Sequence, residues 1–339
     1  MNILVTGGAG YVGSHCLRAL LDRGHRVVVT DDLSNGHRTA VDSRAQFIQT
    51  GVANIARISS VIEVHEVEAV MHFAGFLEVG ESVKEPLKYY ENNVSTSCLL
   101  LQAMQRAGIR RMVFSSTAAV YGSPPTCPIT EDMPLNPINP YGRTKLAVEW
   151  AMRDCAKAWG LGGIALRYFN AAGAARDGTI GEDHDPETHL IPIVLQVAQG
   201  KREQVAVFGT DYPTPDGTCI RDYIHVEDLA DAHVRAIEAC EPGWFRAFNV
   251  GTGTGTSVLQ IIEAARKVTD HAIPVVLSER REGDPAELLA DPTQLMQELE
   301  WKPRHTDIHK IVDSAWCWHR NHPQGFSGKR PILSETGPS

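Results

Sequence analysis

The sequence predicts an α/β protein organised around a doubly wound parallel sheet, with a smaller α/β lobe attached. Three observations carry that expectation. Short, almost wholly apolar runs alternate with longer stretches of helical period. A glycine-rich turn joins the first run to the first helical stretch, and the second run ends in paired aspartates.

The apolar runs fall at 3–5, 27–29, 47–48, 70–73, 112–114 and 164–166. Each is short and nearly uniform, as strands covered on both faces must be. Between them lie amphipathic stretches such as 12–23, which Gly24 closes as a helix C-cap. Strands joined through helices imply right-handed crossovers and hence a parallel sheet. Residues 1–172 form the first domain on this reading. Beyond it the pattern loosens: 177–218 is rich in Gly, Pro, Asp and Thr, with one helix over 191–199. Apolar period returns at 226–239 and 258–268. Residues 173–322 are therefore read mainly as the second lobe, with segments near 226–250 as candidates to rejoin the first sheet. The Gly/Pro/Ser-rich stretch 323–339 reads as a mobile tail.

A chain of 339 residues, 43% hydrophobic and 22% charged, can bury a sizeable core. Its net charge of −9 argues against nucleic acid or an anionic membrane as partner, since both reward clustered Lys and Arg. The seven cysteines are scattered without a CxxC pair, which fits reduced thiols and a cytoplasmic location. No leader-like start is seen, and no apolar run reaches the roughly 18 residues of a membrane helix. His305 and His309 have the spacing to share a helix face as metal ligands. They lack the glutamate of an HExxH motif and lie far along the chain from the motifs below, so no metal centre is expected.

The turn Thr6-Gly7-Gly8-Ala9-Gly10-Tyr11-Val12-Gly13 sits between the first strand and the first helix. Glycines at 7, 10 and 13 suit a tight turn, close backbone approach to a pyrophosphate, and close packing of helix on strand. The helix N-terminus then faces the phosphates of a dinucleotide, in the manner of a Rossmann domain. Asp31, at the end of the second strand, can accept hydrogen bonds from adenosine ribose hydroxyls and repel a 2′-phosphate, which points to NAD over NADP. The same stretch, Asp31 to Gly36, also fits an ordinary strand-end turn.

Asn139-Pro140-Tyr141-Gly142-Arg143-Thr144-Lys145 reads as a helix start, Asn139 capping and Pro140 first in the helix. Tyr141 and Lys145, four apart, share a face. A nearby ammonium favours the phenolate and brings a phenol of ordinary pKa about 10 closer to useful base catalysis. That spacing also occurs on solvated helix faces. The fifth strand supplies context, because its end, Ser115-Ser116-Thr117, delivers a hydroxyl to the same side of the sheet. Thr117, Tyr141 and Lys145 have the order and separation of the triad of extended short-chain dehydrogenases/reductases.

Within that superfamily the chain resembles the UDP-glucose 4-epimerase (UDP-galactose 4-epimerase) family from Met1 to about Gly325. The resemblance rests on the glycine turn and on His72-Phe73-Ala74-Gly75, Val79-Gly80-Glu81-Ser82-Val83 and Tyr90-Glu91-Asn92-Asn93-Val94. It is reinforced by Arg167-Tyr168-Phe169-Asn170, Gly181-Glu182-Asp183, Arg221-Asp222-Tyr223-Ile224-His225-Val226 and Arg280-Arg281-Glu282-Gly283-Asp284. It implies reversible epimerisation at C4 of a UDP-hexose through a 4-keto intermediate, with tightly held NAD and a homodimeric enzyme. It implies that Gly7, Gly10, Tyr11, Val12, Gly13, Asp31, Asn35, Val52, Phe73, Ala74, Asn93, Ser115, Tyr141, Lys145 and Tyr168 lie around NAD. It likewise implies that Thr117, Tyr141, Asn170, Leu190, Phe208, Arg221, Tyr223, Arg281, Asp284 and Leu288 meet the UDP-sugar. Thr117, Tyr141 and Lys145 are the implied catalytic residues.

The chain departs from the family pattern at several places. Thr117 stands where many relatives have Ser, and Gly51 precedes Val52 where Asp is frequent. Leu77 replaces a Lys found near the cofactor in some members, and His189 replaces an Asn found on the diphosphate in some members. Leu288 falls where side-chain size bears on an N-acetyl group, so N-acetylhexosamine substrates stay open, as do UDP-glucuronate and UDP-xylose. A 4,6-dehydratase needs acidic residues just after the strand-end hydroxyl, where this chain has Ala118 and Ala119. A catalytically silent nucleotide-binding regulator would not require the intact Thr117, Tyr141 and Lys145 set.

Overall fold

In the computed structural model the described residues are 1–281 and 283–326. Seven strands form an all-parallel main sheet: β1 (Asn2–Thr6), β2 (Arg26–Asp31), β3 (Gln46–Gln49), β4 (Ala69–His72), β5 (Arg111–Thr117), β6 (Gly162–Tyr168) and, from later in the chain, β10 (Phe245–Val250). Their spatial order is β3-β2-β1-β4-β5-β6-β10. The strands show why they read as uniform apolar runs. Ile3 and Val5 of β1 enter one core while Leu4 enters another, each fully buried. Helices α1 (Tyr11–Asp22) and α8 (Val226–Ala239) close the first core. The second is closed by α2 (Ile55–Val64), α5 (Thr96–Ala107) and α6 (Pro140–Trp159). Two short helices, α3 (Val79–Lys84) and α4 (Pro86–Tyr89), precede α5, and a wide π-type turn over Tyr90–Ser95 joins α4 to it.

Strand order reverses between β1 and β4, and the crevice beyond their carboxyl ends is where doubly wound sheets bind ligands. The pieces that end there are held together beneath it. His72, wholly buried at the end of β4, hydrogen bonds through Nδ1 to Thr6 Oγ1 of β1 (2.6 Å) and through Nε2 to Ser97 Oγ of α5 (2.8 Å).

The second lobe has its own core. Strands β7 (Asn170–Ala172), β9 (Ile220–His225), β11 (Gly255–Ser257) and β13 (Glu287–Leu288) make a small mixed sheet. A parallel pair, β8 (Val205–Phe208) and β12 (Val275–Ser278), lies apart from it. Helices α7 (Leu190–Ala198), α9 (Val258–Thr269) and α11 (Ile308–Asn321) pack around buried Val194, Val207, Ile261 and Val312. A short α10 (Thr293–Glu298) packs back on β10. Only Phe169 separates the end of β6 from the start of β7, so the chain passes from one sheet to the other in a single residue.

Two sequence expectations need correction. Residues 323–326 are not part of a loose tail: Phe326 is buried against Trp318, and its N–H donates to Asp183 Oδ2 (2.9 Å). The rest of that expected tail lies outside the described residues. His305 and His309 do not share a helix, because α11 begins at Ile308. His305 is buried before it with Nδ1 2.9 Å from Asp228 Oδ1, while His309 is exposed.

Helix α6 begins as its sequence demands. Asn139 Oδ1 accepts from Gly142 N–H (2.8 Å), Pro140 occupies the first turn, and Gly160 at φ +77° ends the helix. Tyr141, Lys145 and Glu149 follow one another at intervals of four along one face, and all three are buried. Glu149 meets Arg167 of β6 in a two-pronged pair, Oε2 to NH2 at 2.6 Å and Oε1 to Nε at 3.0 Å. Ser116 Oγ also donates to Oε1 (2.6 Å), and Arg167 NH1 donates to Tyr121 Oη (2.8 Å). Removing one partner of such a buried pair strands the other charge, at about 3–5 kcal/mol. Glu149→Gln is therefore expected to lower unfolding free energy by about that much in chemical denaturation. The double replacement Glu149→Leu with Arg167→Met should recover most of the loss; equal destabilisation by single and double variants would refute this account.

Candidate active site

The glycine turn leaves β1 and enters α1 with the tight approaches its spacing predicts. Gly7 adopts φ +74°, and a Cβ there would stand 2.5 Å from Ala74 N. A Cβ on Gly13 would stand 2.2 Å from Gly7 O, so α1 can pack this closely only without one. Gly10 differs, since a Cβ there would meet only Gly7 O, at 3.5 Å. Its outer side is open space in front of the α1 N-terminus, a cradle of the kind a pyrophosphate fills.

Asp31 closes β2 and is almost fully buried. Its Oδ2 accepts from Ala9 N–H (3.0 Å) and its Oδ1 from Leu33 N–H (2.8 Å). Burial raises its pKa, and the two backbone donors oppose that rise. The carboxylate thus ties the glycine turn to the loop after β2 while each oxygen keeps a further lone pair. Asn35 is half-buried in that loop, and Val52 belongs to the core beneath it. A Cβ on Gly51 would come 3.3 Å from Asp32 Oδ2, so a larger residue there presses on that carboxylate. Tyr11 and Val12 open α1, and Tyr11 Oη donates to Gly173 O (2.7 Å), joining the turn to the second lobe.

At the end of β5 the side chains converge. Lys145 Nζ donates to Ser115 O (2.9 Å), and Ser115 Oγ shares a hydrogen bond with Tyr168 Oη (2.8 Å). The ammonium stands 5.9 Å from the Tyr141 ring centroid and 4.9 Å from that of Phe114. Burial pushes Lys145 down from its ordinary 10.5 to about 8. Burial pushes the Tyr141 phenol up, nearby Tyr168 adds to the rise, and a hydrogen bond with Thr117 opposes it. Thr117 Oγ1 accepts from Ala119 N–H (3.1 Å), which orients the hydroxyl at the turn after β5. Asn93, buried, donates to Phe76 O (3.0 Å) and Thr144 Oγ1 (3.2 Å) and accepts from Phe76 N–H (2.8 Å). It holds the loop after β4 against α6. Phe73, Ala74 and Tyr168 line the crevice, with the His233 ring 4.9 Å from Phe73.

The residues expected for the second ligand come from the second lobe. Arg221 of β9 donates to Asp284 Oδ1 (3.1 Å) and Ile220 O (2.8 Å), and Leu288 pairs with Arg221 across β13 and β9. The Arg281 guanidinium lies 3.9 Å over the Phe208 ring. Asn170 pairs with Tyr223, which is buried in the lobe's core, and Leu190 opens α7. The structure therefore gives two groupings, one at the end of β5 and one on β9, β13 and β8. The one-residue passage from Tyr168 to Asn170 joins them.

A family model described as the NAD dependent epimerase/dehydratase family matches residues 3–251. The UDP-glucose 4-epimerase of Lacticaseibacillus casei is 51% identical over 330 residues, which span 97% of this chain and 100% of that protein. The chain belongs to the UDP-glucose 4-epimerase family. Solved structures agree across this family. That of the Bifidobacterium longum UDP-glucose 4-epimerase in complex with NAD+ and UDP aligns with a TM-score of 0.92 at 38% identity, covering 96% of this chain and 100% of that one. That of the Stenotrophomonas maltophila enzyme, with bound NAD and formylated UDP-arabinopyranose, aligns at 0.92 and 42% identity, covering 95% and 99%. The cofactor of the family is NAD, and the open cradle at Gly10 with Asp31 beside it fits that group.

Reasoning from sequence missed the Glu149–Arg167 pair. The signal was present, since Glu149 continues the four-residue spacing of Tyr141 and Lys145 and Arg167 precedes Tyr168.

A buried lysine held at about 8 gives up its proton more readily than the unfolded chain does. Its charge therefore costs stability below about pH 8, and that cost fades as pH rises toward 10.5. In protein stripped of nucleotide, Lys145→Met should raise unfolding free energy near pH 7 by on the order of a few kcal/mol. The gain should shrink by about pH 10, as read by denaturant titration at both values. A gain independent of pH would show that the buried charge is not its source.

Proposed function

We propose that this chain interconverts UDP-glucose and UDP-galactose by NAD-dependent epimerisation at C4, with Tyr141 as the group that exchanges the proton of the sugar 4-hydroxyl. The observation that carries the reading is the convergence of Thr117, Tyr141 and Lys145 at the end of β5, beside the glycine cradle at the sheet's switch point. What bound NAD supplies is reversible hydride exchange at C4, leaving a 4-keto sugar between the two transfers.

The protein's own part is to hold and to move a proton. The glycine turn and Asp31 would hold the dinucleotide, with Phe73, Ala74 and Asn93 along it and Tyr168 beside its nicotinamide. Lys145, fixed by Ser115 O, places positive charge near Tyr141, and positive charge there favours the phenolate that burial alone opposes. Thr117, whose hydroxyl opposes the rise of the Tyr141 pKa, can pass the proton between phenol and sugar. On the other lobe, Arg221, held by Asp284, and Arg281 offer forked donors that suit a diphosphate, and the Phe208 face suits a base.

We further propose a cytoplasmic homodimer. All seven cysteines are free thiols. Val83, Leu87 and Trp150, on α3, α4 and α6, expose large apolar side chains on neighbouring helices. No helix among the described residues is long and apolar enough to cross a membrane.

Incubation with UDP-galactose followed by chromatography should yield UDP-glucose. Tyr141→Phe should lose about 10²–10⁴-fold in kcat while UDP binding stays close to that of the parent. Near-normal kcat in that variant would dismiss the role assigned to Tyr141.

A wider substrate range is set by Leu288. Its side chain is half-buried against Tyr121, Ile129 and Leu146, beside Arg221 on the neighbouring strand, so it carries bulk without a hydrogen-bond donor. Leu288→Ala should raise kcat/KM for UDP-N-acetylgalactosamine relative to UDP-galactose by about tenfold to a few hundredfold. An unchanged ratio in a folded, active variant would assign Leu288 to the core alone.

A further inference from the structure

A cluster of histidines and carboxylates lies in the loop between β7 and α7, and its last member, His189, stands where some members of the family have an Asn. Glu182 and His184 come from the first part of this loop, and Glu187 and His189 from the part that leads into α7. His189 Nδ1 stands 2.9 Å from Glu182 Oε1 and 3.2 Å from Glu187 Oε1. His184 Nδ1 stands 3.3 Å from Glu182 Oε1 and 3.7 Å from Glu187 Oε2. One donor atom from each of the four residues falls within 4.8 Å of the others. A tetrahedral ion with ligands at about 2.0–2.1 Å sets neighbouring donors about 3.3 Å apart, within the observed spread.

Two details turn this from a charged cluster into a built site. His184 is 9% exposed in its side chain, and its Nδ1 points at the two carboxylates yet makes no hydrogen bond. A buried nitrogen set between two carboxylates without hydrogen-bond geometry to either asks for an explanation. Glu187, meanwhile, is oriented from behind. Its Oε1 accepts from the backbone N–H groups of Thr188 and His189, both at 2.8 Å, while Oε2 lies on the His184 side. Hydrogen bonds of that sort fix the direction of metal-ligating carboxylates.

We infer that Glu182, His184, Glu187 and His189 bind a divalent transition-metal ion of the zinc class. Two imidazoles and two carboxylates in a closed set of four suit zinc, whereas magnesium and calcium take all-oxygen sets with more ligands. A closed set leaves no position for a reacting water, so the ion's work is structural. It staples residues 182–189 to the start of α7. The loop it fixes touches two other parts of the protein: the Tyr11 ring of the glycine turn packs edge-on to His184 at 6.4 Å, and Thr188 Oγ1 donates to Glu78 Oε2 (3.0 Å) ahead of α3. A second group, His225, Glu227 and His305, does not serve in the same way. Asp228 takes His305 Nδ1, and the Arg176 guanidinium lies against His305 Nε2, where a cation would be repelled.

The rival arrangement is two imidazolium–carboxylate pairs without an ion, and metal analysis separates the two. Full-length protein stripped with a chelator, given zinc and desalted should retain it stoichiometrically, with a higher thermal midpoint than the stripped form. His184→Asn should weaken zinc retention at least about tenfold. Equal retention by parent and variant, or none by either, would overturn the assignment. If the variant does not fold, parent crystals soaked in zinc decide through anomalous scattering at the zinc edge. A peak between the four donors supports the site, and no peak there removes it.

Discussion

The buried pair between Glu149 and Arg167 is the contact on which the catalytic geometry depends. Helix α6 contributes Tyr141 and Lys145, and β5 and β6 contribute Ser115, Thr117 and Tyr168. A helix packed on a sheet through apolar side chains alone can slide or rotate by fractions of an ångström at small cost. A two-pronged guanidinium–carboxylate contact cannot, because both prongs must keep their length and direction. With Ser116 on the same carboxylate and Tyr121 on the same guanidinium, the pair locks helix, strand and the turn after β5 in one register. Buried ion pairs contribute little net stability compared with well-packed apolar groups. Positional definition is the physical reason to keep one two turns along α6 from the Tyr141 phenol.

Ser115 extends that logic upward. Its carbonyl receives Lys145 and its hydroxyl meets Tyr168, so one residue sets both the ammonium and the second tyrosine. Across the switch point, Asp31 does comparable work for the nucleotide side. By receiving Ala9 and Leu33 it holds the glycine turn and the following loop in place from within the protein. Tyr141 sits between these two fixed points. Burial keeps its proton on, and the Thr117 hydroxyl opposes that effect.

Much of this could be read before any coordinates. The strand runs at 3–5, 112–114 and 164–166 are strands because each residue enters an apolar core from one face or the other. Asn139 and Pro140 announced α6 because a cap and a fixed φ act locally. The glycine turn was readable for the same reason. What stayed hidden depends on distance in space. Arg167 and Glu149 are partners only once β6 lies beside α6; spacing puts Glu149 on the face of Tyr141 and Lys145, but it does not say which strand residue meets it. The contribution of His305 was misread because the start of α11 is set by Asp307, whose side chain caps it, and that start falls after His305. Phe326 looked like tail because its neighbours are Gly, Pro and Ser; its burial comes from Trp318 and His37, residues remote in sequence. The four side chains of the 182–189 loop are close in sequence, but only the fold of that loop turns their donor atoms toward one point.

The passage from β6 to β7 has a bearing on how the molecule can be altered. Tyr168 belongs to the main sheet and Asn170 to the small one, with a span of about 7 Å of extended chain between them. So short a strut fixes the separation of the two sheets here, and only the dihedrals at Phe169 can turn one against the other at this point. The distance between the nucleotide-side wall and the sugar-side wall is consequently a covalent quantity at this point, comparable to a ruler rather than a jaw. Recombining the second lobe with that of a relative therefore demands that the junction at Phe169 keep its length to the residue, whereas the exposed turn at 241–243 is a surface loop that tolerates change.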